Sequence, residues 1–199
     1  MPPRVLVTGF LPFGEHAVNP SARLAESCGK PFEILEVSFA AVDDFLLRLA
    51  SAQLPPDVLL MLGLRGGGIG IDVETIARNH VGASPDMRGE TRGPGPINPD
   101  GPDVLPTRLF HGLSLPQRFA PSDDAGCYLC NYVYYQALRR LPLAVRVGFV
   151  HVPPLDALPL EEQQRELHDL LQLIEVQPAP NSAYTLAPPT SGPKPLEHP

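Results

Sequence analysis

The feature that most constrains this chain is the alternation of short apolar runs with amphipathic stretches. Val5–Thr8 reads as a short buried strand, Asp57–Leu62 (DVLLML) as a fully apolar one, and Ala144–Val152 as another. Phe32–Phe39 alternates apolar and polar residues, the period of a half-buried strand, and Ile69–Ala77 reads as a further strand. Between them Asn19-Pro20 opens a helix: Asn can cap, Pro suits the first helical position, and Gly29 can close it. Val42–Leu49 and a segment around Cys127–Arg140 read as helices. Leu160–Val176 is a third, with Leu160, Leu167, Leu170, Leu171 and Ile174 on one face. Such alternation implies an α/β fold, a single-domain three-layer α/β/α sandwich with a mostly parallel twisted sheet. Ligands in these folds bind beyond the carboxyl ends of the strands. Gly9–Phe13, Gly63–Gly68 and His151 all fall just past expected strand ends, where they can converge.

Residues 80–107 are rich in Gly, Pro and Asp and read as one long loop, a length usually tied to function or mobility. The α/β domain is expected over 1–176. From 177 to 199, seven of 23 residues are proline, which predicts a Pro-rich tail without regular structure. Fifteen basic against twenty-two acidic side chains leave a net charge of −7, which argues against nucleic acid or an anionic membrane as partner. No apolar run reaches the ~18 residues of a membrane span. The N-terminal MPPRVLVTGF lacks a signal-peptide h-region and reads as a first strand. Three cysteines make no disulfide framework, so a cytoplasmic location is expected.

The chemistry-bearing residues are few. Cys127-x-x-Cys130 has the spacing of a redox pair but lacks a Gly-Pro type centre, and zinc would need a second pair that the chain does not have. One activated thiol remains: Ala125-Gly126 ends a loop, a helix follows, and Cys130 then falls in or near its first turn, where free amides favour a thiolate. An inert buried cysteine fits the same pattern. A nucleophile needs a base and an orienting group. Among six histidines, His151 stands at the ligand end of an apolar strand (FVHVPP). His16, His80, His111, His168 and His198 fall in loops, on a polar helix face or in the tail. Glu74 interrupts an apolar strand-like stretch, where a carboxylate is costly unless paired. Asp72 shares its face and is its rival. A core histidine and a solvent-facing edge carboxylate remain open readings at this point. GLRGGGIG fits neither nucleotide-loop pattern but suits a close backbone approach to a ligand.

Four segments in order, VLVTGFLPFG with NPS (residues 5 to 21), IDVETIARN, DAGCYLCN and VGFVHVPPL, resemble the pyroglutamyl peptidase (pyrrolidone-carboxylate peptidase) family of cysteine peptidases, across residues 4 to 176. The resemblance implies Cys130 as nucleophile, His151 as its catalytic partner and Glu74 as the acid behind it, with Cys127 a bystander. It implies removal of N-terminal pyroglutamate (5-oxoproline) from peptides, with no metal or cofactor, by chains that often form homodimers or homotetramers. Phe10 and Phe13 would wall the lactam pocket with Tyr128 nearby, backbone groups around Leu129 would bond the lactam edge, and Asn19 would only cap its helix. The chain departs from the family in three places. Leu64 stands where many members carry glutamine, Gly66-Gly67-Gly68 where many have Gly-Gly-Arg, and an arginine of bacterial members has no counterpart in GASPDM, with Ser84 nearest. Leu64 and the missing arginine motivate one alternative to test, a pyroglutamyl-peptide binding module without turnover, and the Cys127-x-x-Cys130 pair motivates a second, a thiol redox protein.

Overall fold

The structure, a computed structural model, describes residues 1–14 and 17–177. His16, His198 and the Pro-rich stretch beyond Gln177 lie outside them. The chain runs β1 (Val5–Phe10), α1 (Pro20–Ser27), β2 (Phe32–Leu35), α2 (Phe39–Ala50), β3 (Val58–Leu64), β4 (Ile71–Glu74), β5 (Ile76–Arg78), β6 (Val104–Pro106), β7 (Phe119–Ser122), α3 (Leu129–Arg140), β8 (Arg146–Val152) and α4 (Leu160–Val176). Six strands form one sheet in the order β2-β1-β3-β8-β4-β7. Every pair in it is parallel except β4 with β8.

Strands β3 and β8 are buried along their whole length, which is why they read as continuous apolar runs. Each face of the sheet carries its own core. On one, Leu24 and Ala25 of α1 and Leu167, Leu170 and Ile174 of α4 pack with Leu60, Leu62 and Val150. On the other, Phe39 and Phe45 of α2 and Val133, Tyr134 and Ala137 of α3 pack with Leu59, Met61 and Phe149. The molecule is thus the three-layer sandwich that strand–helix alternation predicts. Asn19 caps α1 by accepting from the Ser21 amide at 3.1 Å, Pro20 opens the helix, and Gly29 follows its end at φ 70°.

Several boundaries differ from expectation. The half-buried strand expected through Phe39 stops at Leu35, because the Ser38 side chain accepts from the Ala41 amide and starts α2 at Phe39. The single strand expected over Ile69–Ala77 is broken at Thr75, so that β4 belongs to the main sheet and β5 pairs antiparallel with β6 in a small second sheet. Residues 80–107 are therefore not all loop. Asn79 and Asn131 tie them down: the Asn79 amide donates to Asn98 and Gly101 carbonyls, and that of Asn131 to those of Arg78 and His80. Gly9, Gly63 and Leu64 lie inside strands β1 and β3, which run longer than expected, while β8 starts later than expected, at Arg146, and carries His151 one residue before its end; all four stand at the carboxyl ends. No helix among the described residues is long and apolar enough to cross a membrane.

Candidate active site

Cys130 is the second residue of α3. Tyr128 precedes the helix in extended conformation and no side chain caps it. The first-turn amides consequently have no partner within their own helix, and with the helix dipole they favour negative charge beside them. Cys127 lies before the helix and is exposed, whereas Cys130 is half-buried. The helix start approaches the sheet where β3 carries Gly63. A Cβ at that position would lie 2.9 Å from Cys130 Sγ and 2.6 Å from the Phe149 ring, so only glycine leaves room.

His151 pairs in register with Gly63 from the neighbouring β8 and is buried. Its Nδ1 lies 2.6 Å from Glu74 Oε1, and the Cys130 side chain is near enough to the same ring to act on its charge; with Nδ1 engaged by Glu74, Nε2 is the nitrogen left for the sulfur. Phe149 packs on the imidazole at 4.8 Å between ring centroids. Burial acts to lower the histidine pKa, but Cys130 and Glu74 outweigh it and raise the value to about 9.

Glu74 is the last residue of β4 and fully buried. Since β4 runs against β8, Asp72 stands opposite His151 and Glu74 opposite Phe149, one step deeper on the same face. Burial by itself would raise the Glu74 pKa. His151, with help from Ser122 and Arg65, outweighs that and holds the carboxyl below the usual range. Asp72, its rival in the sequence, pairs instead with Arg65 (Nε to Oδ2, 3.1 Å). The Tyr134 hydroxyl donates to the Glu74 carbonyl at 2.9 Å and steadies the strand end.

Beside Cys130 a small, shallow pocket is lined by Phe10, Phe13, Tyr128 and Leu129, the four residues that the resemblance names around the substrate. Val37, Leu64 and Asn19 complete the wall. Asn19 turns its amide away, donating to the Leu11 carbonyl and capping α1. The Tyr128 hydroxyl donates to the Pro85 carbonyl, which ties the cavity wall to the 80–107 segment. His80, His111 and His168 are exposed, as is Ser84. Arg65 escaped sequence reasoning. Its Nη2 lies 2.7 Å from Glu74 Oε1 and 2.8 Å from the Asp124 carbonyl. The available signal was a charged residue directly after an apolar strand, at its ligand end.

Comparison with known proteins agrees with this geometry. The sequence model of the pyroglutamyl peptidase family matches residues 3–167, a span that encloses Glu74, Cys130, His151 and every residue lining the cavity. The chain belongs to the pyroglutamyl peptidase family. The pyrrolidone-carboxylate peptidase of Pyrococcus furiosus is 33% identical over 170 residues, 75% of this chain and 80% of that one. That of Clavibacter michiganensis subsp. michiganensis is 35% identical over 173 residues, 76% and 78% of the two chains. The crystal structure of pyrrolidone carboxyl peptidase from Thermus thermophilus matches with a TM-score of 0.70 at 34% identity, over 86% of this chain and 100% of that one. Pyroglutamyl peptidase I from Bacillus amyloliquefaciens shares the fold, with a TM-score of 0.78 at 24% identity over 89% and 97% of the chains.

Proposed function

We propose that this family member is a cysteine omega-peptidase that hydrolyses pyroglutamate from the N-terminus of peptides. The observation that carries the reading is the juxtaposition of Cys130 with the hydrogen-bonded His151–Glu74 pair at the uncapped start of α3, beside a small apolar pocket. In this reading Cys130 reacts as a thiolate paired with the His151 imidazolium and attacks the pyroglutamyl carbonyl carbon. The carbonyl electron pair moves onto oxygen, where first-turn amides of α3 stabilise it. As the oxyanion collapses, the C–N bond breaks, His151 gives its proton to the leaving amine, and a thioester remains. His151 then takes a proton from water, whose oxygen attacks the thioester; pyroglutamate leaves and the thiolate is restored. Glu74 keeps the imidazole oriented with its Nδ1 proton engaged and balances the charge that appears on the ring.

Phe10, Phe13 and Tyr128 suit the flat, uncharged lactam, and free backbone groups around Leu129 suit its polar edge. A reducing compartment such as the cytoplasm would keep the half-buried Cys130 thiol usable. Neither alternative raised by the sequence gains support: Cys130 faces His151, while the Cys127 sulfur packs by Gly82. The test is hydrolysis of a fluorogenic pyroglutamyl amide. Wild type should release the fluorophore, Cys127→Ser should match it, and Cys130→Ala should fall to background. Equal rates for wild type and Cys130→Ala would end the assignment.

A further inference from the structure

Arg65 leaves β3 directly beyond the cavity wall residue Leu64, and its amide donates to the Val152 carbonyl at 3.0 Å, so its backbone is fixed to the end of β8. From there its guanidinium makes four contacts that belong to three different elements. It meets Glu74 Oε1 at 2.7 Å and Asp72 Oδ2 at 3.1 Å on β4. It donates to the Asp124 carbonyl at 2.8 Å in the turn that leads to Cys130. It stands 3.3 Å from Nδ1 of His151 on β8. The turn is also anchored at its start, where Ser122 pairs with Glu74 in the β4–β7 ladder and Arg78 donates to the Asp123 carbonyl at 3.0 Å, while the Asp124 side chain accepts from the Gly126 amide; Arg65 is the side chain that ties it to the Glu74–His151 pair.

We infer that Arg65 is a positioning residue for the reaction, a clamp that holds the acid on β4, the histidine on β8 and the nucleophile's turn in one geometry and limits the charge that Glu74 places on the imidazole. This inference rests on the reading of Cys130, His151 and Glu74 as the reacting groups. The charged and titratable groups facing His151 are Glu74 and Asp72 from β4, Cys130 from α3, and Arg65 from the end of β3. Two carboxylates and a thiolate on one side are balanced by a single guanidinium. Its removal leaves both carboxylates acting unopposed on the imidazolium, which holds its proton to higher pH. It also takes away the positive charge that sits at the turn leading to Cys130. The same removal frees the Asp124 carbonyl and lets the turn before α3 shift.

The test compares wild type, Arg65→Met and Arg65→Lys in a Cys28→Ser/Cys127→Ser background, so that Cys130 is the one reporting thiol. Iodoacetamide alkylation against pH reads the sulfur without requiring peptide hydrolysis, and kcat and KM on a fluorogenic pyroglutamyl amide read turnover. Arg65→Met should move the alkaline limb of kcat/KM up by about half a unit or more and change the alkylation profile of Cys130, slowing the reaction at neutral pH. It should lower kcat roughly 10- to 100-fold, with KM within about twofold, since misplacement of reacting groups by a fraction of an ångström acts on kcat. Arg65→Lys, which keeps the charge, should restore the pH profiles and only part of kcat. Arg65→Gln carries the same measurement should Arg65→Met fail to fold. Unmoved pH profiles in the neutral variant overturn the inference, whether or not kcat falls, and so does a lysine variant no closer to wild type than methionine. If wild type hydrolyses no pyroglutamyl amide, the peptidase reading fails by itself, and the alkylation profile still decides the role of Arg65.

Discussion

At the scale of single residues, the site is a balance of charges around one imidazole. Cys130 and Glu74 raise the His151 pKa to about 9 against the opposing effect of burial. In the proposed mechanism the ring must be protonated to stabilise the thiolate and to hand a proton to the leaving amine. Activity is therefore expected to hold from neutral pH upward and to fall as pH passes about 9. Glu74→Gln removes one of the two groups that raise the value, so the alkaline limb should move to lower pH, opposite in sign to the Arg65→Met shift. The same change should lower kcat by ~10²–10⁴-fold, the range seen when the orienting acid of a triad is neutralised. A kcat/KM profile against pH on both variants checks the two signs together. Cys130, His151 and Glu74 stood out as candidates because each breaks a local pattern (a thiol at a helix start, a histidine ending an apolar strand, a carboxylate in an apolar stretch), and the family resemblance chose them over the bland alternatives. Arg65 was not. Its partners lie on β4, on β8 and before α3, and nothing in GLRGGGIG indicates that the chain turns back towards them.

At the scale of elements, the approach of α3 to β3 decides whether the sulfur meets the ring. Gly63 makes that approach possible, since any Cβ there would meet Cys130 Sγ and the Phe149 ring. Gly63→Ala should lower kcat strongly while KM changes little. Its loss of stability should stay within the 1–3 kcal/mol usual for overpacking, because the helix end can retreat. Denaturant unfolding beside steady-state kinetics separates the two effects, and an alanine variant with normal kcat would contradict this account of the contact. Elements were legible where they are long and periodic. Of the leucines and isoleucine expected on one face of α4, Leu167, Leu170, Leu171 and Ile174 are all buried. Strand β7 was not seen because FAPS is four residues long and contains proline. The antiparallel run of β4 was equally hidden, as strand direction follows from where the chain re-enters the sheet and not from local pattern.

At the scale of the molecule, the two cores on opposite faces of the sheet have different jobs. Leu170 belongs to the α1/α4 side and Phe149 to the α2/α3 side, where it also touches His151. Leu170→Ala should destabilise by about 2–5 kcal/mol, the range for an emptied leucine site, yet leave kcat of the folded protein unchanged. Phe149→Leu should lower kcat as well as stability. Melting curves and rates measured on both variants test that division, which fails if Leu170→Ala alters turnover at a temperature where the protein is folded. The layered architecture itself was legible in the alternation of apolar runs, because strands buried on both faces leave little freedom in composition. The cavity wall carries a further consequence. Apart from the Cys130 sulfur, which the proposed mechanism already pairs with the His151 ring, its rings and aliphatic side chains offer no counter-ion, and the one amide among them, on Asn19, is already engaged. A peptide beginning with an ordinary ammonium group would have to strip that charge of water between Phe10, Phe13 and Leu64 and find nothing to replace it. Ring closure at a peptide's first residue, which erases the ammonium, is then what admits it, so the enzyme distinguishes blocked chains from unblocked ones by refusing to solvate a cation.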